Sequence, residues 1–274
     1  MKIASDWHKE GLGKALGYLV GALVLGTAFP HLIKFISADL PWKVILFATS
    51  WFATAGGVLL YYAVPDGPYQ VKKGKFKPAA MVRLFKNKNF RSAAFGYFGH
   101  MWELYTFWAF ILIMIGYHGQ VKGAIAYTSL WSFAAIAVGG ISCAVGGHWS
   151  LSVGSKKVAF ISLVGSGLCC LALPFFMELP FALFIALLLL WGLFVVSDSP
   201  QFSTLVAHSS DSDYVATGLT IVNSIGFAIT IVSIQLTNWL WAEWQDPLVF
   251  LVMVVGPVLG VIFISKYQKR VAPA

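Results

Sequence analysis

Eleven acidic residues occur in the chain. Nine fall in polar connectors or tails, and two, Glu103 and Asp198, fall inside long apolar runs. An ionisable side chain at bilayer depth costs about 3 kcal/mol or more, so it normally faces a partner or a water-filled cavity. His100 precedes Glu103 by one helical turn, which puts the two on one face. Trp102, Tyr105, Phe107 and Trp108 crowd the same stretch. A carboxyl group in aromatic surroundings is the kind that takes up and releases a proton near neutral pH. A purely structural hydrogen bond from Glu103 to a neighbouring helix would use the same residue. Asp198 lies in Ser197-Asp198-Ser199-Pro200-Gln201, five consecutive polar or helix-breaking residues. That pattern suits backbone lining a cavity or hinge, with Gln201 as part of the site, and equally a cap or gate contact at the membrane boundary. Asn223 is a secondary candidate for solute contact. Gln235 fits hydrogen bonding between helices, and His31 fits an interfacial position.

Other chemistry is poorly represented. His100-x-x-Glu103 has metal-ligand spacing on a helix, but a metal would need more ligands from other helices. Cys143, Cys169 and Cys170 lack metal-ligand spacing and sit in apolar runs, so they read as small buried residues. No phosphate loop, nucleophile elbow, HExxH or CxxC is present. The sequence therefore implies no cofactor, no metal and no enzyme.

The elements that must position these groups follow from composition. The 274 residues are 58% hydrophobic and 11% charged, against about 25% charged in soluble domains. Too little polar surface exists to face water, so lipid is the natural solvent. A membrane helix needs about 20 mostly apolar residues, and such runs occupy 15–36, 43–64, 94–115, 124–145, 158–177, 181–205, 214–238 and 247–265. They are apolar on all faces, unlike the alternating strands of a β-barrel. The expected fold is an all-α membrane protein with about eight transmembrane helices. Pro30, Pro174 and Pro200 fall near span ends, where freed backbone groups can find partners. Gly17-x-x-x-Gly21, with Gly26 beyond, allows the first span to approach another helix closely.

Charge sets the orientation. Of 19 Lys and Arg residues, 16 fall in the first 14 residues, the loop 65–93, the fourth connector and the tail. Lys34, Lys43 and Lys122 fall on the other side. Cytoplasmic loops carry the basic excess, so both termini and the 65–93 loop are expected in the cytoplasm. The same confinement to connectors makes the net charge of +8 an orientation signal and argues against a nucleic-acid partner. Trp42, Trp239, Trp241 and Trp244 fit an aromatic belt at the outer boundary. The opening residues mix Lys, Asp, Glu and His and do not read as a secretory signal.

Several motifs carry a family resemblance. Gly96-Tyr97-Phe98-Gly99-His100-Met101-Trp102-Glu103-Leu104-Tyr105 resembles the seventh helix of a bacterial branch of the major facilitator superfamily. Trp191-Gly192-Leu193-Phe194-Val195-Val196-Ser197-Asp198-Ser199-Pro200-Gln201-Phe202 resembles its tenth helix, and Ile225-Gly226-Phe227-Ala228-Ile229-Thr230-Ile231-Val232-Ser233 its eleventh. Lys14-Ala15-Leu16-Gly17 running into Gly21, Gly26 and Pro30 resembles the start of a fifth. The resemblance implies a partial superfamily fold of two plus six helices. Residues 1–64 would be the last two helices of an N-terminal half, 65–93 the cytoplasmic linker, and 94–274 the six-helix C-terminal half. The first four helices would lie outside the chain. The seventh and tenth helices would line the central cavity and carry Glu103 and Asp198. The superfamily's cytoplasmic gating loop, Gly-x-x-x-Asp-Arg-x-Gly-x-Arg/Lys-Arg/Lys, is matched by Gly147, Gly154, Lys156 and Lys157, with Leu151 and Ser152 at the Asp and Arg positions.

The function expected on this basis is a secondary permease in the inner membrane. It would move a small cationic or neutral solute, coupled to a proton or other ion through Glu103 and His100, with alternating access by rocking halves. Eight spans alone are not expected to drive uphill transport, and are expected to associate with missing helices or with themselves. Two alternatives use the same residues: a membrane metal-binding or enzyme subunit built on His100, Glu103 and Asp198, and a non-transporting assembly or sensor component.

Overall fold

In a membrane every backbone N–H and C=O must be paired inside the protein, and helices do this locally. The computed structural model describes residues 2–8, 10–37, 41–69, 78–123 and 125–268, and its regular elements are all helical. They run α1 (Lys2–Trp7), α2 (Leu12–Ile36), α3 (Trp42–Ala63), α4 (Pro78–Lys86), α5 (Lys88–Lys122), α6 (Thr128–Val153), α7 (Ser155–Phe176), α8 (Phe181–Ser197), α9 (Ser199–Ser209), α10 (Val215–Trp244) and α11 (Val255–Ser265). A 3-10 turn leads into α10 and a 3-10 segment, Pro247–Val254, leads into α11. With α8 and α9 counted as one crossing and the 3-10 segment joined to α11, eight helices among the described residues are long and apolar enough to span a membrane.

The connectors fall alternately at two ends of the bundle. At one end Trp7 Nε1 donates to Pro65 O at 3.1 Å, Asn87 Nδ2 to Ser209 O at 2.9 Å, Asn89 Nδ2 to Gln268 O at 2.9 Å and Lys156 Nζ to Tyr267 O at 2.6 Å. At the other, Lys122 Nζ meets Glu178 Oε2 at 2.9 Å and the Phe35 and Tyr127 rings lie 5.4 Å apart. The basic residues Lys9, Lys72, Lys73, Lys75, Lys77, Lys269 and Arg270 lie outside the described residues.

One span and one connector differ from their expected form. Helix α5 is 35 residues long and begins at Lys88, inside the expected 65–93 linker. At 1.5 Å per residue it measures about 52 Å, well beyond the roughly 30 Å hydrocarbon core. The side chain of Asn87 accepts hydrogen bonds from the N–H groups of Asn89 and Phe90, so the helix starts at a cap among charges and not at the first apolar run. The expected gating loop is almost entirely helical. Gly147 lies in α6, Lys156 and Lys157 lie in α7, and only Gly154, at φ 86°, separates the two helices. A left-handed residue ends one helix and lets the next begin at once, and glycine takes it without a Cβ penalty. The sixth span breaks at Asp198. Pro200 has no N–H, so the carbonyl of Val196 loses its helical donor. Cys143 Sγ from α6 donates to that carbonyl at 3.5 Å.

Packing on α2 explains its glycines. A Cβ on Gly17 would lie 2.6 Å from Cys143 O, and one on Gly21 would lie 2.8 Å from Gly140 O. Helices α2 and α6 therefore meet backbone to backbone. Gly26 faces open space and takes no part. Tyr18 Oη and His148 Nε2 extend the seam at 2.7 Å. Helix α3, by contrast, buries none of its residues.

Candidate functional site

Helix α5 carries His100 and Glu103 into the protein interior. Glu103 is 1% exposed and lies against α7 and α8. Trp191 Nε1 donates to Glu103 Oε1 at 2.8 Å, and Ser166 Oγ donates to Oε2 at 2.9 Å. The Trp191 ring packs on Phe107, with centroids 4.7 Å apart. Each carboxyl oxygen thus has a neutral donor, the arrangement that makes a buried acceptor tolerable.

His100, one turn earlier, pairs with Asp198 where the sixth span breaks. His100 Nδ1 and Asp198 Oδ1 lie 2.8 Å apart, both residues are 1% exposed, and neither atom has another hydrogen-bond partner among the described residues. Tyr97 and Phe202 flank the imidazole at ring distances of 5.6 and 6.3 Å. Gln201, one turn beyond Asp198, is fully buried.

The surroundings expected for Glu103 divide between two faces of α5. Trp102 points to the 3-10 segment, where its Nε1 donates to Val252 O at 3.0 Å. Tyr105 and Trp108 turn towards α10, and the Tyr105 ring lies 5.1 Å from Trp108 and 5.4 Å from Phe227. These residues bound a cavity of about 400 Å³ between α2, α5, α10 and the α8–α9 junction. Tyr97, Tyr105, Ser199, Thr220 and Asn223 supply polar groups, and among the described residues no charged one lines it. Trp108 is 8% exposed and its Nε1 has no protein partner among the described residues. Asn223 therefore lies on the cavity wall, as solute contact requires. Glu103, His100, Asp198 and Gln201 are not part of that wall. His100 and Asp198 adjoin it, since the wall residue Tyr97 packs on His100 and Asp198 stands between the wall residues Val196 and Ser199 in sequence.

Elsewhere the expected roles shift. Lys156 Nζ donates to Ser265 O at 3.1 Å and to Tyr267 O at 2.6 Å, closing the carbonyl end of α11. Gln235 is exposed on α10 and does not bridge helices as expected. That work falls to Thr106, whose Oγ1 donates to Ser233 Oγ at 2.9 Å. Trp42, Trp239 and Trp244 are exposed and Trp241 stacks on Phe250 at 5.2 Å. Among the described residues no three His, Cys, Asp or Glu side chains gather as a metal ion requires. Trp191 and Ser166 were not legible as partners of Glu103. The available signal was a tryptophan in a strongly apolar run, whose N–H needs an acceptor when buried.

Fold and site together define a polytopic helical membrane protein with a buried polar centre behind a solute-sized cavity. The sequence model of the Major Facilitator Superfamily matches residues 1–234. The chain belongs to that superfamily, whose members are membrane transporters. Comparison with curated proteins gave no match.

Proposed function

We propose that this transporter is an inner-membrane permease for a small neutral or cationic solute, driven by a proton or other ion gradient. One observation carries the reading: a buried His100–Asp198 pair, 2.8 Å apart, stands directly behind the wall of the cavity. Ser199 lines the cavity and Tyr97 both lines it and packs on His100. Solute and proton would then act on the same stretch of α5 and α9. A cavity wall without charge suits a neutral or cationic solute better than an anion. Glu103 has both oxygens occupied, so the pair is the first choice for the proton and Glu103 the second.

In this reading residues 94–274 form one six-helix half, 1–64 contribute two helices of the other, and 65–93 link them. The α2–α6 glycine seam is where the halves meet, and rocking about a site near the midplane gives alternating access. The junction at Gly154, with Gly147, Lys156 and Lys157, forms the inner gate. The basic asymmetry puts both termini in the cytoplasm.

Native membrane vesicles containing the protein together with any helices it associates with provide the test. An imposed proton gradient should drive saturable accumulation of at least one solute from a panel of labelled neutral and cationic compounds. Asp198→Asn should abolish that accumulation and spare exchange, because an amide hydrogen-bonds but cannot cycle a proton. Loss in Glu103→Gln with normal uptake in Asp198→Asn would move the proton site to Glu103. Equal accumulation in vesicles lacking the protein would end the reading.

A further inference from the structure

The His100–Asp198 contact leaves polar atoms over. His100 Nε2 and both amide atoms of Gln201 are buried with no protein hydrogen-bond partner among the described residues. Interiors pair such atoms with protein, ordered water or an ion, and each exception has a cause. A metal finds no set of three His, Cys, Asp or Glu ligands here. Water fits the atoms themselves: an amide offers a donor and an acceptor side by side, and a buried water needs two to four polar partners.

Gln201 also has a direction. It follows Asp198, the residue that precedes α9, by one turn, which puts the two on the same side. A Cβ on Gly13, in the first turn of α2, would lie 3.3 Å from Gln201 Oε1, 3.3 Å from Ser155 Oγ and 2.8 Å from Ser150 Oγ. The starts of α2 and α7 meet there, and neither has a side-chain cap. Exposure rises along this line, from 0% at Gln201 and 9% at Ser150 to half-buried Ser155 and exposed Gly11.

We propose that His100, Asp198 and Gln201 frame an internal water site, from which a hydrogen-bonded path runs past Ser150 and Ser155 to solvent where α2 and α7 begin. Its role in transport rests on the proton-coupled reading above. The pair holds the proton, and the path exchanges it with the proposed cytoplasmic side without opening the solute cavity, which Gln201 does not line. One proton leaves imidazolium Nε2 for a water oxygen, each further water passes on one of its own, and no other bond changes. Gln201 carries no proton; its amide orients the waters. The titratable groups acting on the pair are Tyr97 and Glu103 from α5 and Cys143 from α6. His208 follows further along α9, and α10 brings none before Glu243. Lys14, Lys156 and Lys157 stand in the first turns of α2 and α7. Two helix N-termini and these lysines make the mouth positive, so a proton passes through it and rests at the pair.

Solid-state NMR of the full chain in lipid bilayers tests this, using 15N-labelled histidine and glutamine and transfer of magnetisation from water. The His100 signal is assigned by its loss in His100→Asn. His100 and the Gln201 amide should both show water contact. Gln201→Leu should cut transfer to His100 about threefold or more, with Gln201→Met as the second variant should Leu disturb folding. Asn223→Leu, on the cavity wall, should leave it unchanged. A dry His100 in the unsubstituted protein overturns the proposal, as does unchanged transfer in both Gln201 variants. Drying by Asn223→Leu also overturns it, since water would then enter from the cavity. A hydrated His100 in a protein without proton-driven uptake would remove the coupling reading and keep the path; a dry His100 with such uptake would do the reverse.

Discussion

Replacing Trp191 by Phe removes one hydrogen-bond donor from Glu103 and keeps most of the ring that packs on Phe107 at 4.7 Å. The lost bond leaves Glu103 Oε1 buried without a partner, at a cost of about 1–3 kcal/mol. Hydrogen bonds between membrane helices measured by double-mutant cycles average about 0.6 kcal/mol and reach about 1.7. Glu103 and Trp191 are 1% and 0% exposed, so neither has water as a substitute, and the pair should sit near the top of that range. The missing ring atoms add about 1 kcal/mol of lost burial. Trp191→Phe should therefore destabilise the protein by about 2–3 kcal/mol. Glu103→Leu removes the acceptor, and in that background Trp191→Phe should cost about 1–2 kcal/mol less. Glu103→Gln should be mild, because its amide oxygen can accept from Trp191 and its NH₂ can donate to Ser166, which already reaches Leu163 O at 3.2 Å. The assay is reversible unfolding in mixed detergent micelles, followed by circular dichroism. Equal costs of Trp191→Phe in the two backgrounds, within about 0.3 kcal/mol, would show that the two side chains do not interact.

The α2 glycines predict opposite outcomes for one chemical change. Gly17→Ala puts a methyl 2.6 Å from backbone and should lower the unfolding midpoint, whereas Gly26→Ala meets nothing within 4 Å and should be neutral or stabilising by up to about 1 kcal/mol. At the second acid, Asp198→Leu strands a buried histidine and should cost about 3–5 kcal/mol, most of it recovered on adding His100→Leu; full additivity of the two changes would contradict the pairing. Orientation is read from single cysteines in whole cells. An impermeant maleimide should label Glu178→Cys from outside and leave Asp66→Cys unlabelled, and the reverse pattern would invert the topology. On α3, Phe47 is 75% exposed, so Phe47→Ala should change stability by less than about 0.5 kcal/mol.

Run length and charge were enough to recover the eight crossings, because lipid leaves the backbone no alternative to a helix and no tolerance for stray ions. The two acids stood out for the same reason: Glu103 and Asp198 are the two carboxyls inside apolar runs. Their partners were hidden, because a partner depends on how three helices are rotated about their axes, and neighbours in sequence point about 100° apart. Trp102 and Tyr105 lie within two residues of Glu103 in the chain, yet one faces Val252 and the other the cavity. Trp191 lies 88 residues away and meets it. The glycines of the expected gate read as a loop, and packing made Gly147 part of a helix seam while Gly154 alone turns the chain. Sequence fixes which groups enter the membrane, since insertion is decided segment by segment. Only the tertiary structure decides that His100 holds Asp198, that Glu103 is held by Trp191 and Ser166, and that the His100–Asp198 pair adjoins the cavity wall, since those distances exist only once the helices have packed.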